Sequence, residues 1–272
     1  MLKKIIFSLV LLGVNCVCAS QFDNEWNHFS GNRLERLKVC GERCSGTDFV
    51  WHLLHGNFHQ LQVVSSTDYV QKHCLWWFGT PSGLDNLDSL HLNSFYIDFL
   101  DDCLIVVVIR DPYDWLRSYY HYQWCVPKSL WNNAFHDFVS REWIPTIKPL
   151  EDRKGDYSNI DFWHPSFRNI LELRKGKTEN YLELGHRVGN YLFVRYEDVR
   201  DNPEEFIEYV GNYFALQKTP SFDEVDTHMA SHVPYVPKHY FSIASEDLQF
   251  INQEIDWELE NKVGYFKRNE VQ

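Results

Sequence analysis

Short apolar runs alternate along this chain with longer stretches in which apolar residues return every three or four positions. The runs are Leu37–Cys40, Leu61–Ser65, Leu104–Ile109 and Tyr191–Val194. Their length and composition suit strands buried on both faces. After the first run, Phe49, Val50, Leu53 and Leu54 mark one face of a helix that begins near Thr47. Asp111-Pro112 opens another helix, with Asp as cap and Pro in the first turn, and it continues through Tyr122. Asp201-Asn202-Pro203-Glu204-Glu205 opens a third, whose Phe206, Ile207 and Val210 share a face. Alternating strands and helices predict βαβ units, hence an α/β fold: a single three-layer domain with a central parallel sheet flanked by helices. The segment Lys148–His164 is polar, with Gly155 and several aromatics, and reads as a loop or lid over the sheet.

Composition narrows the class. The 272 residues show no internal repeat or low-complexity linker, and 44% hydrophobic with 16% aromatic residues is ample material for one core. Met1–Ser20 holds Lys3 and Lys4, then mostly apolar residues from Ile5 to Val14, then Val17-Cys18-Ala19, which resembles a cleavage site. This predicts a secretion signal over residues 1–19 before a domain over 20–272. The other reading is a short membrane anchor, although the stretch falls short of the ~20 residues a spanning helix needs. Without residues 1–19 the chain keeps 24 basic and 38 acidic residues, a net charge of −14. So acidic a chain does not favour nucleic acid as a partner. Five cysteines follow the leader, Cys40, Cys44, Cys74, Cys103 and Cys125. An odd number leaves at least one thiol unpaired or intermolecular, and the absence of Cys-x-x-Cys spacing argues against a structural zinc.

Candidate chemistry concentrates where the first strand run meets the first helix, at Gly41-Glu42-Arg43-Cys44-Ser45-Gly46-Thr47. Glycines at 41 and 46 allow a tight turn in which successive N–H groups and the positive end of the helix face one anion. The Gly41-to-Gly46 spacing makes the turn P-loop-like, but Thr47 stands where a nucleoside triphosphatase needs Lys. That substitution argues against triphosphate chemistry and for a ligand with a single 5′-phosphate group. A second candidate lies at the tip of the most apolar strand, where Arg110 is followed by Ser118 two turns into the next helix. An Arg fork and a hydroxyl can grip one phosphate from two sides. The plainer reading of Arg110 is a surface salt bridge to Asp111 or Asp114.

Ser45-Gly46-Thr47, then Arg110-Asp111-Pro112-x-Asp114-x-x-x-Ser118-Tyr119-Tyr120-His121, then Tyr196-Glu197-Asp198-Val199 with Asn202-Pro203, closely resemble the sulfotransferase family that uses 3′-phosphoadenosine-5′-phosphosulfate (PAPS). The resemblance covers about residues 37–215, and Trp257-Glu258-Leu259-Glu260 with Gly264-Tyr265-Phe266 look like the family's closing helix. It implies that Cys44, Ser45, Gly46 and Thr47 hold the 5′-phosphate, Arg110 and Ser118 the 3′-phosphate, and that Tyr196 lies near the nucleotide. A core tyrosine satisfied locally is the other reading of Tyr196. In the family a basic residue directly precedes Ser-Gly-Thr, whereas here Cys44 holds that place and Arg43 stands one residue earlier.

Sulfuryl transfer needs a cation where negative charge gathers on the departing phosphate. The resemblance assigns that role to Arg43, against a solvent-facing Arg43 paired with Glu42. It further implies a base for the acceptor proton, and Lys72-His73 supplies His73 as base with Lys72 as a second cation. An exposed loop pair is the alternative, and His91 is the reserve base. The implied co-substrate is PAPS, with no metal, and the implied acceptor is a hydroxyl or amine of a carbohydrate, protein or small molecule. Because the donor occurs in the cytosol or, by import, in the Golgi lumen, the leader favours a secretory-pathway enzyme, Golgi-lumenal or secreted. A phosphate-loop kinase, or an inactive nucleotide-binding protein of the same fold, are the rival expectations.

Overall fold

The computed structural model describes residues 20–64, 101–122, 126–144, 166–228, 233–234 and 239–271. In chain order these form β1 (His28–Phe29), β2 (Arg36–Gly41), α1 (Thr47–Asn57), β3 (Gln62–Val63) and β4 (Cys103–Ile109). There follow α2 (Pro112–His121), α3 (Phe135–Ser140), α4 (Ile170–Gly185), β5 (Asn190–Arg195), α5 (Tyr196–Asp201) and α6 (Pro203–Tyr213). A short ribbon of β6 (Thr227–His228) and β7 (Val233–Pro234) precedes α7 (Ser245–Glu254) and α8 (Trp257–Lys262). The expected leader, the Lys72-His73 pair, His91 and the segment 148–164 lie outside the described residues.

The central sheet has five strands in the order β1-β5-β4-β2-β3. Pairing is parallel between β3 and β2, β2 and β4, and β4 and β5. The sheet is nevertheless mixed, because β1 runs antiparallel against β5, pairing His28 with Tyr191. The expected central parallel sheet is thus present as β3-β2-β4-β5, with β1 added as an antiparallel edge. A two-residue edge strand carries too short a pattern to be read from sequence, and an antiparallel edge on a parallel sheet is common. Within the Leu61–Ser65 run, the described residues 61–64 form the short strand Gln62–Val63.

All seven residues of β4 are buried, and the strands divide their side chains between two cores. Leu37, Val39, Leu104, Val106, Val108, Leu192 and Val194 face α1 and α6, meeting Val50, Leu53, Leu54, Phe206 and Val210. Ile105, Val107, Ile109, Tyr191 and Phe193 face the other way, onto Tyr181 and Leu184 of α4 and Leu259 of α8. The period-2 geometry of a strand produces that division. A third core of Tyr113, Trp115, Phe138, Trp143, Leu171 and Ile251 joins α2, α3, α4 and α7. Asp111 caps α2, accepting from the N–H groups of Tyr113 and Asp114, as the Asp-Pro signal predicts.

Burial is not purely apolar. Arg174 on α4 and Glu260 on α8 form a two-pronged ion pair of 2.5 and 2.8 Å, with side chains only 7% and 3% exposed. The same guanidinium donates through Nη2 to the carbonyl of Arg110, 2.9 Å away, at the tip of β4. Its fork therefore ties two helices to the strand end. Removing one partner of such a pair strands a charge in the core, so Arg174→Ala is expected to cost about 3–5 kcal/mol in urea denaturation. An Arg174→Met/Glu260→Leu double variant should recover much of that loss. A single variant as stable as the wild type would contradict the buried pair.

Candidate functional site

In the β2–β4 ladder Gly41 stands opposite Val108, so both strands finish at the same edge of the sheet. The loop 42–46 and the turn at Arg110–Asp111 therefore begin side by side, at the carboxyl ends where open α/β sheets take ligands. Gly41 is required by contact: a Cβ there would lie 2.4 Å from the Val108 carbonyl oxygen and 2.7 Å from Ser45 Oγ. The loop closes on itself through Ser45, whose N–H and hydroxyl both donate to the Glu42 carbonyl, at 3.1 and 2.6 Å. That hydroxyl, expected to touch a phosphate, is committed inside the turn, with Ser45 1% exposed.

Gly46 begins α1 in the left-handed region, at φ 91°. A Cβ at this position would sit 2.1 Å from the Tyr196 ring, so only glycine lets the helix end approach β5's exit. The N-cap residue of α1, Gly46, has no side chain with which to cap the helix, in contrast to Asp111 of α2. Amide dipoles at this end point towards the loop, the arrangement that favours an anion. Thr47, 4% exposed, is the first residue of the helix. Tyr196 is 6% exposed and lies in the core beneath the loop, edge-on to Phe49 at 6.0 Å. Its visible role is to wall in Gly46.

Below the loop, the buried Glu42 carboxylate pairs with Lys177 of α4 and accepts the Arg43 N–H at 2.7 Å. The Arg43 carbonyl in turn accepts from Trp115 Nε1 at 2.9 Å. Arg43 is thus pinned on both sides of its backbone while its side chain is half-buried. Nothing in the sequence pattern singled out Lys177, Trp115 or Arg174. The available signal was that Arg174 and Lys177 fall on the buried stripe of α4 with Leu171, Thr178 and Tyr181, where an unpaired charge would not persist.

Cys44 joins the two halves. It has φ 62°, its carbonyl accepts from Arg110 Nη1 at 3.1 Å, and its thiol hydrogen-bonds with Ser118. Burial lifts the thiol pKa from 9.0 to about 11, outweighing the Ser118 contact and the nearby Arg110 and Arg43 charges. A thiol so placed stays protonated at neutral pH and is no nucleophile. Arg110 pairs with neither of its neighbouring carboxylates. Asp111 goes to Arg268 at 2.7 Å and Asp114 to Arg117 at 2.5 Å. The Arg110 guanidinium lies 5.0 Å from the Tyr196 ring and 3.4 Å from the Tyr240 hydroxyl. Burial opposes its charge, but Tyr240 and Tyr196 reverse the balance and hold its pKa above the usual arginine value. Arg110 Nε is buried and has no hydrogen-bond partner among the described residues. A fixed cation with an unused N–H beside an uncapped helix end is a constellation built for an anion.

Residues near the chain's end hold this edge in place. Glu197 accepts from the Asp111 N–H at 3.0 Å and from the Tyr265 hydroxyl at 2.8 Å. Burial, reinforced by Glu197, pushes the Tyr265 hydroxyl well above its ordinary pKa. Of the expected site residues, the fold brings together Arg43, Cys44, Ser45, Gly46, Thr47, Arg110, Ser118 and Tyr196. Lys72 and His73 lie outside the described residues. Among the described residues no group of three His, Cys, Asp or Glu side chains is placed to hold a metal, and no helix is long and apolar enough to cross a membrane. Cys44 and Cys103 carry free thiols.

A family model described as a sulfotransferase domain matches residues 36–234. That span holds β2, the loop, Arg110, Ser118 and Tyr196. No curated protein matches the chain. At pH 8 a thiol with a pKa of about 11 is ionised to roughly one part in a thousand. Iodoacetamide should therefore alkylate Cys44 about a hundredfold more slowly than it does in the urea-unfolded chain, as peptide mass mapping would show. Equal rates in the two states would refute the buried placement.

Proposed function

Because the chain belongs to the sulfotransferase domain family, we propose that it carries a sulfuryl group from PAPS to a hydroxyl or amine of a carbohydrate, protein or small molecule. The observation that carries this reading is the junction of two anion sites at Cys44. The uncapped end of α1 lies on one side, and Arg110 with its unused Nε and Ser118 lies on the other. The two suit the 5′- and 3′-phosphates of one nucleotide. A triphosphate has no equivalent of the second group and needs a lysine where Thr47 stands.

In such a transfer the acceptor oxygen or nitrogen bonds to sulfur as the bridging S–O bond breaks. The acceptor proton leaves to a base, and negative charge collects on the departing 5′-phosphate. The amides at the start of α1 face that charge, which needs stabilisation as the bond breaks. Arg43 is proposed as the cation beside it, since its guanidinium is close enough to act on the Cys44 thiol. His73 is proposed as the base and Lys72 as a second cation, on the strength of their sequence alone. A net charge of −12 weighs against a polyanionic acceptor. The leader sequence supports placement in the secretory pathway, in the Golgi lumen or outside the cell.

Calorimetry with 3′,5′-adenosine bisphosphate against ATP with Mg²⁺ tests the donor. The bisphosphate should bind and ATP should not compete at equal concentration, whereas Arg110→Ala should lose at least a hundredfold in bisphosphate affinity. Tight ATP binding with phosphorylated product would favour a kinase instead. Bisphosphate binding without sulfate transfer to a broad acceptor panel would identify a nucleotide-binding protein that has lost turnover. His73→Ala should leave the bisphosphate affinity intact and lower the transfer rate, and a full rate would dismiss His73 as the base.

A further inference from the structure

Besides the loop, Tyr196 and Arg174, Arg110 contacts Tyr240. Tyr240 lies on the segment 239–243 that leads into α7, and its hydroxyl accepts from Arg110 Nη2 at 3.4 Å. The Arg110 guanidinium carbon is 5.7 Å from its ring centre, and that of Arg117 is 5.4 Å from the same ring. Two cations thus lie close to one phenol ring, whose negative face offsets their repulsion. The hydroxyl proton of Tyr240 meets no protein acceptor among the described residues. A donor therefore stands beside the unused Nε of Arg110.

The placement of Tyr240 is enforced by its neighbours. Arg117 Nη1 donates to the Phe241 carbonyl at 3.0 Å, and the Phe241 ring packs edge-on against Phe135 and Tyr120 at 5.0 and 5.8 Å. Ile243 is buried and its N–H donates to the Val271 carbonyl at 3.1 Å. The segment is therefore fastened to α2, the helix that carries Ser118, through Phe241, the residue directly after Tyr240.

We propose that Tyr240 is a specificity-determining residue of the donor site. Its hydroxyl joins Arg110 and Ser118 around the 3′-phosphate, and the chain thereby distinguishes nucleotides that carry this phosphate from those that lack it. The inference rests on the sulfotransferase reading above, because it needs a 3′-phosphorylated nucleotide as ligand. A phenol donating to a phosphate dianion makes a charge-assisted hydrogen bond, whose loss weakens binding by about tenfold or more. A nucleotide with a free 3′-hydroxyl has no group for it to hold.

The test is calorimetry of wild type, Tyr240→Phe and Arg110→Ala with 3′,5′-adenosine bisphosphate and with 5′-AMP. Wild type should prefer the bisphosphate. Tyr240→Phe keeps the ring beside both guanidinium groups, so its melting temperature and its affinity for 5′-AMP should be unchanged, while its affinity for the bisphosphate falls about tenfold. If Tyr240→Phe loses nothing, or loses the same factor for both nucleotides, Tyr240 merely packs and the proposal is overturned. That outcome, combined with loss of bisphosphate binding in Arg110→Ala, leaves the donor assignment standing. A wild type that does not prefer the bisphosphate overturns the donor assignment and the role of Tyr240 with it.

Discussion

The site depends on the parallel ladder between β2 and β4, which sets Gly41 level with Val108. Each further step along the pair would displace the loop from the strand tip by about 3.3 Å, and the Cys44 carbonyl would leave the reach of Arg110. The absence of a Cβ at Gly41 makes that register usable, because the loop must pass directly over the Val108 carbonyl. A second close approach, at Gly46 against the Tyr196 ring, fixes where α1 begins. Two glycines and one register thus determine where an anion would meet the helix end.

The parts of the fold legible in sequence were those whose cause is local. The apolar runs at Leu37, Leu104 and Tyr191 became β2, β4 and β5, and the Asp-Pro and Asn-Pro signals began α2 and α6 as expected. Composition of a short window suffices where a strand is buried on both faces or a helix is capped by its own residue. The edge strand β1 was not legible, because two residues carry no period and its pairing with β5 is made some 160 residues away in sequence.

The same distinction runs through the site. The loop and Arg110 could be singled out because their chemistry lies in contiguous residues. Their surroundings could not. Arg110 escapes its neighbouring carboxylates only because Arg268 and Arg117 take them, and its carbonyl is held by Arg174, itself paired with Glu260. None of these partners follows from spacing along the chain. Cys44 shows the limit most directly. In sequence it is a cation replaced by a thiol, whereas in the fold it is the residue through which Arg110 and Ser118 touch the loop.

The reliance of the strand tip on Glu260, Tyr265 and Arg268 bears on the order in which the molecule can mature. A chain emerging from the ribosome folds from its amino end, at a few to some tens of residues each second. The sheet can therefore assemble around β2, β4 and β5 while the groups that steady Arg110 and Asp111 are still untranslated. Until they arrive, a nascent chain holds both halves of the anion site without the clamp that aligns them. Alignment of the strand tip would then wait until Glu260, Tyr265 and Arg268 have been made, so that shorter nascent chains hold an anion poorly.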